Sequence, residues 1–367
     1  MTNTLQQQNW TDVLSSKHYS TCTLCEAMCG LKVEHQGTKI LSIKGDEHDP
    51  FSQGHICPKA VALQDLYEDP DRLTSPMERT ENGWQKISWK DAFDKAAAGI
   101  AKVQKQYGNN ALGVYLGTPN VHNLGGMLSI RHILTALKTR TRFSATSIDQ
   151  LPHHMVGMHL FGHQLRIPVP DINRTHHMVI MGANPLASNG SIMTVANVRQ
   201  KIKDIKKRGG KVVVIDPRKT GLVKSPHVKA DYHLPLQPGT NVAMINAIAH
   251  TVMTEGLMDQ DYINERCETE AFNEWRDFII QQQNSPEVVS EYTGVNAEDI
   301  REAARLYATG GNAAIYYGLG VTEHSQGSTM VIGMANLAMA TGNIGRLGVG
   351  VNPLRGQNNV QGSCDMG

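Results

Sequence analysis

Cys22, Cys25 and Cys29 form a C-x2-C-x3-C run, and Cys57 follows after twenty-seven intervening residues, directly before Pro58. These are four of the chain's six cysteines. A [4Fe–4S] cube needs four thiolates converging from four directions, so three come from one tight loop and the fourth from a separate turn. The chemistry to expect is electron transfer. Structural zinc is the competing reading, but zinc sites usually pair two C-x2-C or C-x2-H knuckles, whereas here three ligands crowd one loop. Disulfides need an oxidising compartment, and no secretory h-region or twin-arginine signal precedes residue 20, which points to the cytoplasm. Cys267 and Cys364 stand singly and read as buried thiols packed like small apolar side chains.

The elements that must hold such a site follow from hydrophobic periodicity. Residues 31–45 alternate apolar and polar around a glycine, as a half-exposed β-hairpin beside the cysteine loop would. A helix is expected from Trp89 to Gln106, ending at Gly108, and a buried strand at 112–117. The pattern then repeats: a strand at 178–184, a helix at 191–208, a strand within 209–218 and another at 313–320. Strand alternating with helix implies a parallel sheet wrapped on both faces, hence a doubly wound α/β architecture behind a small β-rich N-terminal domain.

Each strand runs into a polar or glycine-rich loop, the place where open α/β sheets bind ligands. Gly182-Ala183-Asn184-Pro185, Asp216-Pro217-Arg218 and Gln237-Pro238-Gly239-Thr240-Asn241 form a series. Small residues let backbone amides approach a pyrophosphate, and a helix N-terminus expected near Ser188 would add a favourable dipole. Asp216 could accept from a guanine edge or ribose hydroxyl, and Arg218 could pair with phosphate. No G-x-G-x-x-G directly follows a strand and no G-x4-G-K-[ST] is present, which weighs against nicotinamide and P-loop chemistry.

Composition narrows the classes further. With 367 residues, 40% of them hydrophobic, the chain can bury a large core and by size should form two or three domains. Lys and Arg total 35 against 34 Asp and Glu, which argues against a general nucleic-acid or anionic-membrane partner. No apolar run reaches bilayer-spanning length. His153, His154, His159, His163, His176 and His177 crowd one segment, and His159 with His163 has the i, i+4 spacing of a helical zinc pair. Gly162 weakens that helix and no H-E-x-x-H is completed, so hydrogen-bond donation or lining of a substrate funnel is the expectation. Met155, Met158, Met178 and Met181 read as core packing.

Taken together, the cysteine set, Cys57-Pro58-Lys59, GANP, VVVIDPR, QPGTN and above all TGNIGRLGVGVNPLRGQNNVQGSCDMG (341–367) resemble the molybdopterin oxidoreductases, the DMSO-reductase superfamily, and the last stretch resembles its formate dehydrogenase branch. The resemblance implies a bis-molybdopterin guanine dinucleotide carrying molybdenum or tungsten beside the [4Fe–4S] cluster. It assigns Cys22, Cys25, Cys29 and Cys57 to the cluster and makes Lys59 the link between cluster and pterin. Gly182, Asn184, Asp216, Arg218, Gln237, Gly239 and Thr240 would hold one guanine dinucleotide. Arg355, Gly356, Gln357, Asn358 and Asn359 match the stretch that carries an active-site arginine, whose guanidinium would offer a small anionic substrate a bidentate partner. The implied layout is a [4Fe–4S] domain over 1–73, the first part of one α/β domain over 74–144, a dinucleotide-binding α/β domain over 145–357 and a return segment over 358–367.

Two departures modify these expectations. Asp149-Gln150 stands where the formate dehydrogenases place Cys or selenocysteine followed by His, so the metal would meet a hard oxygen donor, which suits oxo transfer to nitrate or another oxyanion. Ser147 is a second oxygen candidate, and the alternative is that Asp149 serves only as a helix N-terminal residue while no side chain binds the metal. Family members also run on into a further α/β segment and a C-terminal β-rich cap, so a chain stopping at Gly367 resembles an N-terminal half. The expected function is a formate dehydrogenase-like oxidoreductase passing electrons to an external carrier or redox subunit. The alternative from another class is an electron-transfer or structural subunit without molybdenum, against which the NPLRGQNNVQG stretch argues.

Overall fold

The computed structural model describes residues 15–117, 123–358 and 360, so Asn359 and Cys364 lie outside the described residues. By its contacts the chain divides into two units, one of Met1–Leu24 with Met28–Ser144, the other of Cys25–Ala27 with Ala145–Gly367.

The first unit begins with an antiparallel sheet of β1 (Ser16–Thr21), β2 (Gly30–Gln36) and β3 (Lys39–Gly45), in that order. β2 and β3 are the hairpin expected from the alternation, turning at Gly37 with φ of 57°. Two short helices follow, α1 (Pro58–Val61) and α2 (Leu63–Glu68), then a hairpin of β4 (Met77–Thr80) and β5 (Gly83–Lys86). α3 (Trp89–Tyr107) is capped by Ser88, whose hydroxyl accepts from the Asp91 amide at 3.1 Å, and it stops at Gly108. β6 (Val114–Leu116) pairs in parallel with β7 (Arg142–Ser144) across α4 (Leu124–Leu137).

The strand expected at 112–117 exists but is not buried, since Tyr115 is 67% exposed. α3 likewise buries no residue despite its apolar stripe. A two-stranded sheet is too narrow a layer to cover a helix face, so periodicity here is not matched by burial within the unit.

The second unit opens with α5 (Thr146–Asp149) and α6 (Leu151–Phe161). It is then built on β8 (His177–Met181), α7 (Val198–Lys207), β9 (Val212–Ile215), α8 (Gly221–Lys224) and β10 (Tyr232–Leu234). Five further helices follow: α9 (Asn241–Thr254), α10 (Gln260–Arg266), α11 (Thr269–Ile279), α12 (Pro286–Thr293) and α13 (Ala297–Thr309). The unit closes with β11 (Ala313–Tyr317), α14 (Leu319–Thr322), α15 (Gly327–Ala340) and β12 (Gly350–Pro353). The sheet order is β10-β9-β8-β11-β12 and every pairing is parallel. The chain starts in the middle, winds outward through β9 and β10, then returns to lay β11 on the other side of β8. The direction of winding therefore reverses between β8 and β11.

The unbroken apolar runs are explained by two cores, one on each face. Val179, Met181, Val213, Ile215, Ile315 and Tyr317 pack with Ile245 and Ile248 of α9, Ile300 of α13 and Met330 and Met334 of α15. Met178, Ile180, Val212, Val214, Ala314 and Tyr316 pack with Ile202 and Ile205 of α7. Alternate strand residues thus face opposite cores, both dry.

The helix expected over 191–208 starts only at Val198, after a single 3-10 turn at Ser191–Met193. Thr194 and Asn197 sit in the left-handed region, with φ of 49° and 55°, which no continuous helix can accommodate. Ser188 lies in a turn with its hydroxyl donating to the Pro185 carbonyl at 3.2 Å, so the helix dipole expected near it is not there.

Candidate functional site

In the first unit, Cys22 and Cys29 are buried and the Cys22 amide donates to the Cys29 carbonyl at 2.8 Å, which closes the cysteine loop. The Ser52 hydroxyl accepts from the Gly30 amide at 3.0 Å, tying the end of that loop to the turn that leads to Cys57. A Cβ on Gly30 would fall 2.5 Å from the Asp49 Cβ, so glycine is needed for this approach. Asp49 accepts from the Ser52 amide and hydroxyl, bonds that hold its carboxyl below the usual range. Cys57, half-buried, is the residue before α1, and Lys59 is on that helix. Cys22, Cys29 and Cys57 thus stand on a loop and a turn of this unit, and Cys25, also buried, is assigned to the second; thiolate donors of this kind suit an iron–sulfur cube. Among the described residues no three His, Cys, Asp or Glu side chains are gathered as one chelated metal ion would require. Cys267, expected to be buried, is half-buried at the end of α10.

In the second unit the strand-end candidates lie along one edge of the sheet. Gly182 and Asn184 follow β8, Asp216 and Arg218 follow β9, Gln237, Gly239 and Thr240 follow β10, and Arg355, Gly356, Gln357 and Asn358 follow β12. All are at carboxyl ends of parallel strands. At the point where winding reverses, the loops after β8 and β11 touch backbone to backbone. The Gly318 amide donates to the Met181 carbonyl and the Gly320 amide to the Gly182 carbonyl, each at 3.1 Å. A Cβ on Gly182 would lie 2.6 Å from the Gly320 carbonyl carbon. Ligands of open α/β sheets bind at this crevice. Asn184 accepts from the Gly221 amide at 3.3 Å and Asp216 from the Arg218 amide at 2.7 Å, so both loops are ordered by their own polar side chains. The Thr240 hydroxyl donates to the Gln237 carbonyl at 2.6 Å. This edge, with small residues and ordered polar loops, fits a dinucleotide.

Arg355, 8% exposed, is the charged centre of the edge. Its Nη1 donates to Gln150 Oε1 at 2.6 Å, and its Nη2 to Nε2 of His153 and, at 3.4 Å, of His154. Both imidazoles accept, so each keeps its proton on Nδ1 and is neutral. Burial, then the positive field of Arg355, pushes His153 down to about 2 and lowers His154. Of the two roles expected of these histidines, hydrogen-bond donation and lining of a substrate funnel, the first does not hold toward Arg355: beside a guanidinium, which has only donors, they must accept. His176 and His177 are at the opposite, N-terminal end of β8, where His176 faces the Gly310 and Arg208 carbonyls, so they line no site at this edge. The pairing of His159 and His163 does not share a helix, because α6 ends at Gly162 with φ of 75°. Met178 and Met181 are core residues as expected, but Met155 and Met158 are exposed by 46% and 49%.

Asp149 is half-buried beside this arginine. Burial and the negative charge of Glu323 raise its carboxyl, while Arg355 opposes them. The N-cap of α6 is Gln150, so Asp149 is not its capping residue. Ser147 is exposed on α5. Sequence reasoning missed Glu26, whose amide donates to the Gly356 carbonyl at 3.1 Å and whose carboxylate accepts from the Thr194 hydroxyl at 2.9 Å. Burial raises its carboxyl, opposed by Thr194 and Arg355. Glu26 is half-buried, and Cys25–Ala27 belongs by its contacts to the second unit, which no spacing rule anticipates. A cleft of ≈ 820 Å³ borders the same centre, with His153, Tyr317 and Pro353 in its wall together with Arg166 and Tyr262.

Residues 15–68 match the molybdopterin oxidoreductase Fe4S4 domain and residues 72–367 the molybdopterin oxidoreductase family. The chain is 33% identical over 350 residues to the F420-dependent formate dehydrogenase subunit alpha of Methanocaldococcus jannaschii, covering 94% of itself and 49% of that protein. It is 27% identical to the assimilatory nitrate reductase catalytic subunit of Bacillus subtilis, covering 97% of itself and 49% of that subunit. The solved structure of acetylene hydratase from Pelobacter acetylenicus shares its fold, with a TM-score of 0.70 at 24% identity over 90% of this chain and 44% of that one. The chain thus spans about half the length of the curated relatives it matches. Among the described residues no helix is long and apolar enough to cross a membrane. With both its cluster region and its sheet region matched, the chain belongs to the molybdopterin oxidoreductase family, whose [4Fe–4S] cluster and molybdopterin are the cofactors of these two domains.

Proposed function

We propose that this chain supplies the [4Fe–4S] domain and one dinucleotide-binding domain of a cytoplasmic, formate dehydrogenase-like oxidoreductase acting on a small anion. The observation that carries the reading is Arg355, a nearly buried guanidinium at the carboxyl edge of the sheet, among groups that can orient a substrate. Residues 145–357 would form the dinucleotide domain, with Gly182, Asn184, Asp216, Arg218, Gln237, Gly239 and Thr240 along the nucleotide and Gly356, Gln357 and Asn358 as further cofactor-binding residues. Residues 74–144 would begin a second α/β domain. When bound, molybdenum or tungsten on the pterin would accept or supply the electron pair, and the cluster would pass electrons singly to an external carrier or redox subunit.

The protein's own residues would bind and orient. Arg355 would neutralise the anion, and a site lined by neutral His153 and His154 adds no competing cation. Lys59, two residues after Cys57, would donate to the pterin and offset the charge of the thiolate-bound cluster.

The second reading is a nitrate or other oxyanion reductase, favoured by the half-buried Asp149 carboxyl near Arg355, an oxygen donor suited to a harder metal centre. The test is turnover by the complete protein with formate and an artificial acceptor, against nitrate and a reduced dye. Formate oxidation supports the first reading and nitrate reduction the second. Iron without molybdenum or tungsten, and turnover of neither, would make the chain a redox or structural subunit.

A further inference from the structure

Arg355 was expected to present its fork to an anion, yet both terminal nitrogens are engaged by one turn of chain, Gln150 to His154. A planar oxyanion bound bidentately needs two parallel N–H groups of the guanidinium. Binding in that mode therefore exchanges protein acceptors for substrate oxygens. The acceptors differ in how firmly they are held. His153 and His154 are buried at 8% and 6% exposure within α6, and their rings lie 4.6 Å apart. Gln150 is half-buried at the N-cap of α6 and makes no side-chain capping bond, so its amide is not committed to the helix end. Gln150 leaves most readily and frees the Nη1 N–H, and the long 3.4 Å contact from Nη2 to His154 is the second bond that an oxyanion's other oxygen would replace.

We propose that Gln150 is a specificity-determining residue, a neutral acceptor that competes with the substrate anion for Arg355 and so sets how tightly small oxyanions bind. This rests on the anion reading above. A glutamine suits the role because its amide oxygen holds the guanidinium in place without cancelling its charge, whereas a carboxylate at 150 would fill the fork permanently.

The experiment uses the complete, cofactor-loaded protein with formate and nitrate as probes, their dissociation constants read by calorimetry and their KM values by turnover. Gln150→Ala removes the competitor and should tighten binding of the anion by about threefold to tenfold. Gln150→Glu, nearly identical in shape, should weaken it by at least about tenfold. KM should move with each dissociation constant. Opposite shifts in the two variants are the signature, because a merely structural role would weaken binding in both. Constants that stay within about twofold of the parent in both variants, or that weaken in both, overturn the proposal. If Gln150→Ala fails to fold, Gln150→Met, which keeps the side-chain length and removes the acceptor, takes its place with the same expected tightening. Opposite binding shifts without any turnover would support the role of Gln150 and count against the redox reading.

Discussion

Replacing Gly182 by alanine probes the crevice at its tightest point. Gly182 has φ of 58°, and an added Cβ would meet Gly320 at 2.6 Å and 2.7 Å and the Val321 amide nitrogen at 2.9 Å. All of these are backbone atoms, which cannot rotate away as a side chain would. The left-handed backbone costs an L-residue about 1–2 kcal/mol, and forcing a methyl against packed backbone adds about 1–3 kcal/mol. Gly182→Ala should therefore lose about 2–5 kcal/mol. Gly239→Ala is the control: its φ is 91° but nothing lies within 4 Å of its Cβ, so only the backbone cost of about 1–2 kcal/mol applies. Urea unfolding gives both values, and bound guanine nucleotide, measured after acid release, should fall more for Gly182→Ala. Equal losses of stability in the two variants would refute the claim that the loops after β8 and β11 close on each other here.

Three further predictions concern the arginine centre. His153 stays neutral in the fold down to about 2 but takes a proton near pH 6.5 when unfolded, so its contribution is complete above about 6.5 and erodes as pH falls, by about 1.4 kcal/mol per unit. His153→Asn should flatten the loss of unfolding free energy between about pH 6 and 4, and an unchanged slope would contradict the burial argument. Asp149→Ala should lower retained molybdenum or tungsten and turnover while leaving iron alone; unchanged metal and activity would remove Asp149 from the ligand set. Gln150→Ala and Gln150→Glu should shift anion affinity in opposite directions, as calorimetry would read.

The sequence was most legible where one rule decides. Uninterrupted apolar runs such as Val212–Ile215 can be dry on both faces only in a covered parallel sheet, and the residues ending each run accordingly share one edge. Cysteine spacing is equally local. The strand order was not readable, because placing β11 beside β8 depends on how distant helices pack. Gly318 and Gly320, in the YYGLG stretch, carried a signal in plain view: glycines just after a strand mark close approach. Glu26 carried none, since an acid inside a cysteine loop reads as solvated. The helix break at Thr194 and Asn197 came from backbone in the left-handed region, which such residues do not announce in a helical pattern. Tyr115 and α3 show the converse: correct elements whose burial the described unit does not supply.

The central claim is that four cysteine sulfurs hold an iron–sulfur cube in a protein that also carries pterin-bound molybdenum or tungsten. Anaerobically purified complete protein, analysed for metals and by electron paramagnetic resonance after dithionite reduction, tests it directly. Expected are about four irons from the Cys22, Cys25, Cys29 and Cys57 site, a reduced-cluster signal that Cys57→Ser abolishes, and molybdenum or tungsten alongside. Colourless protein with zinc or no metal at those thiols, and no signal on reduction, would contradict it.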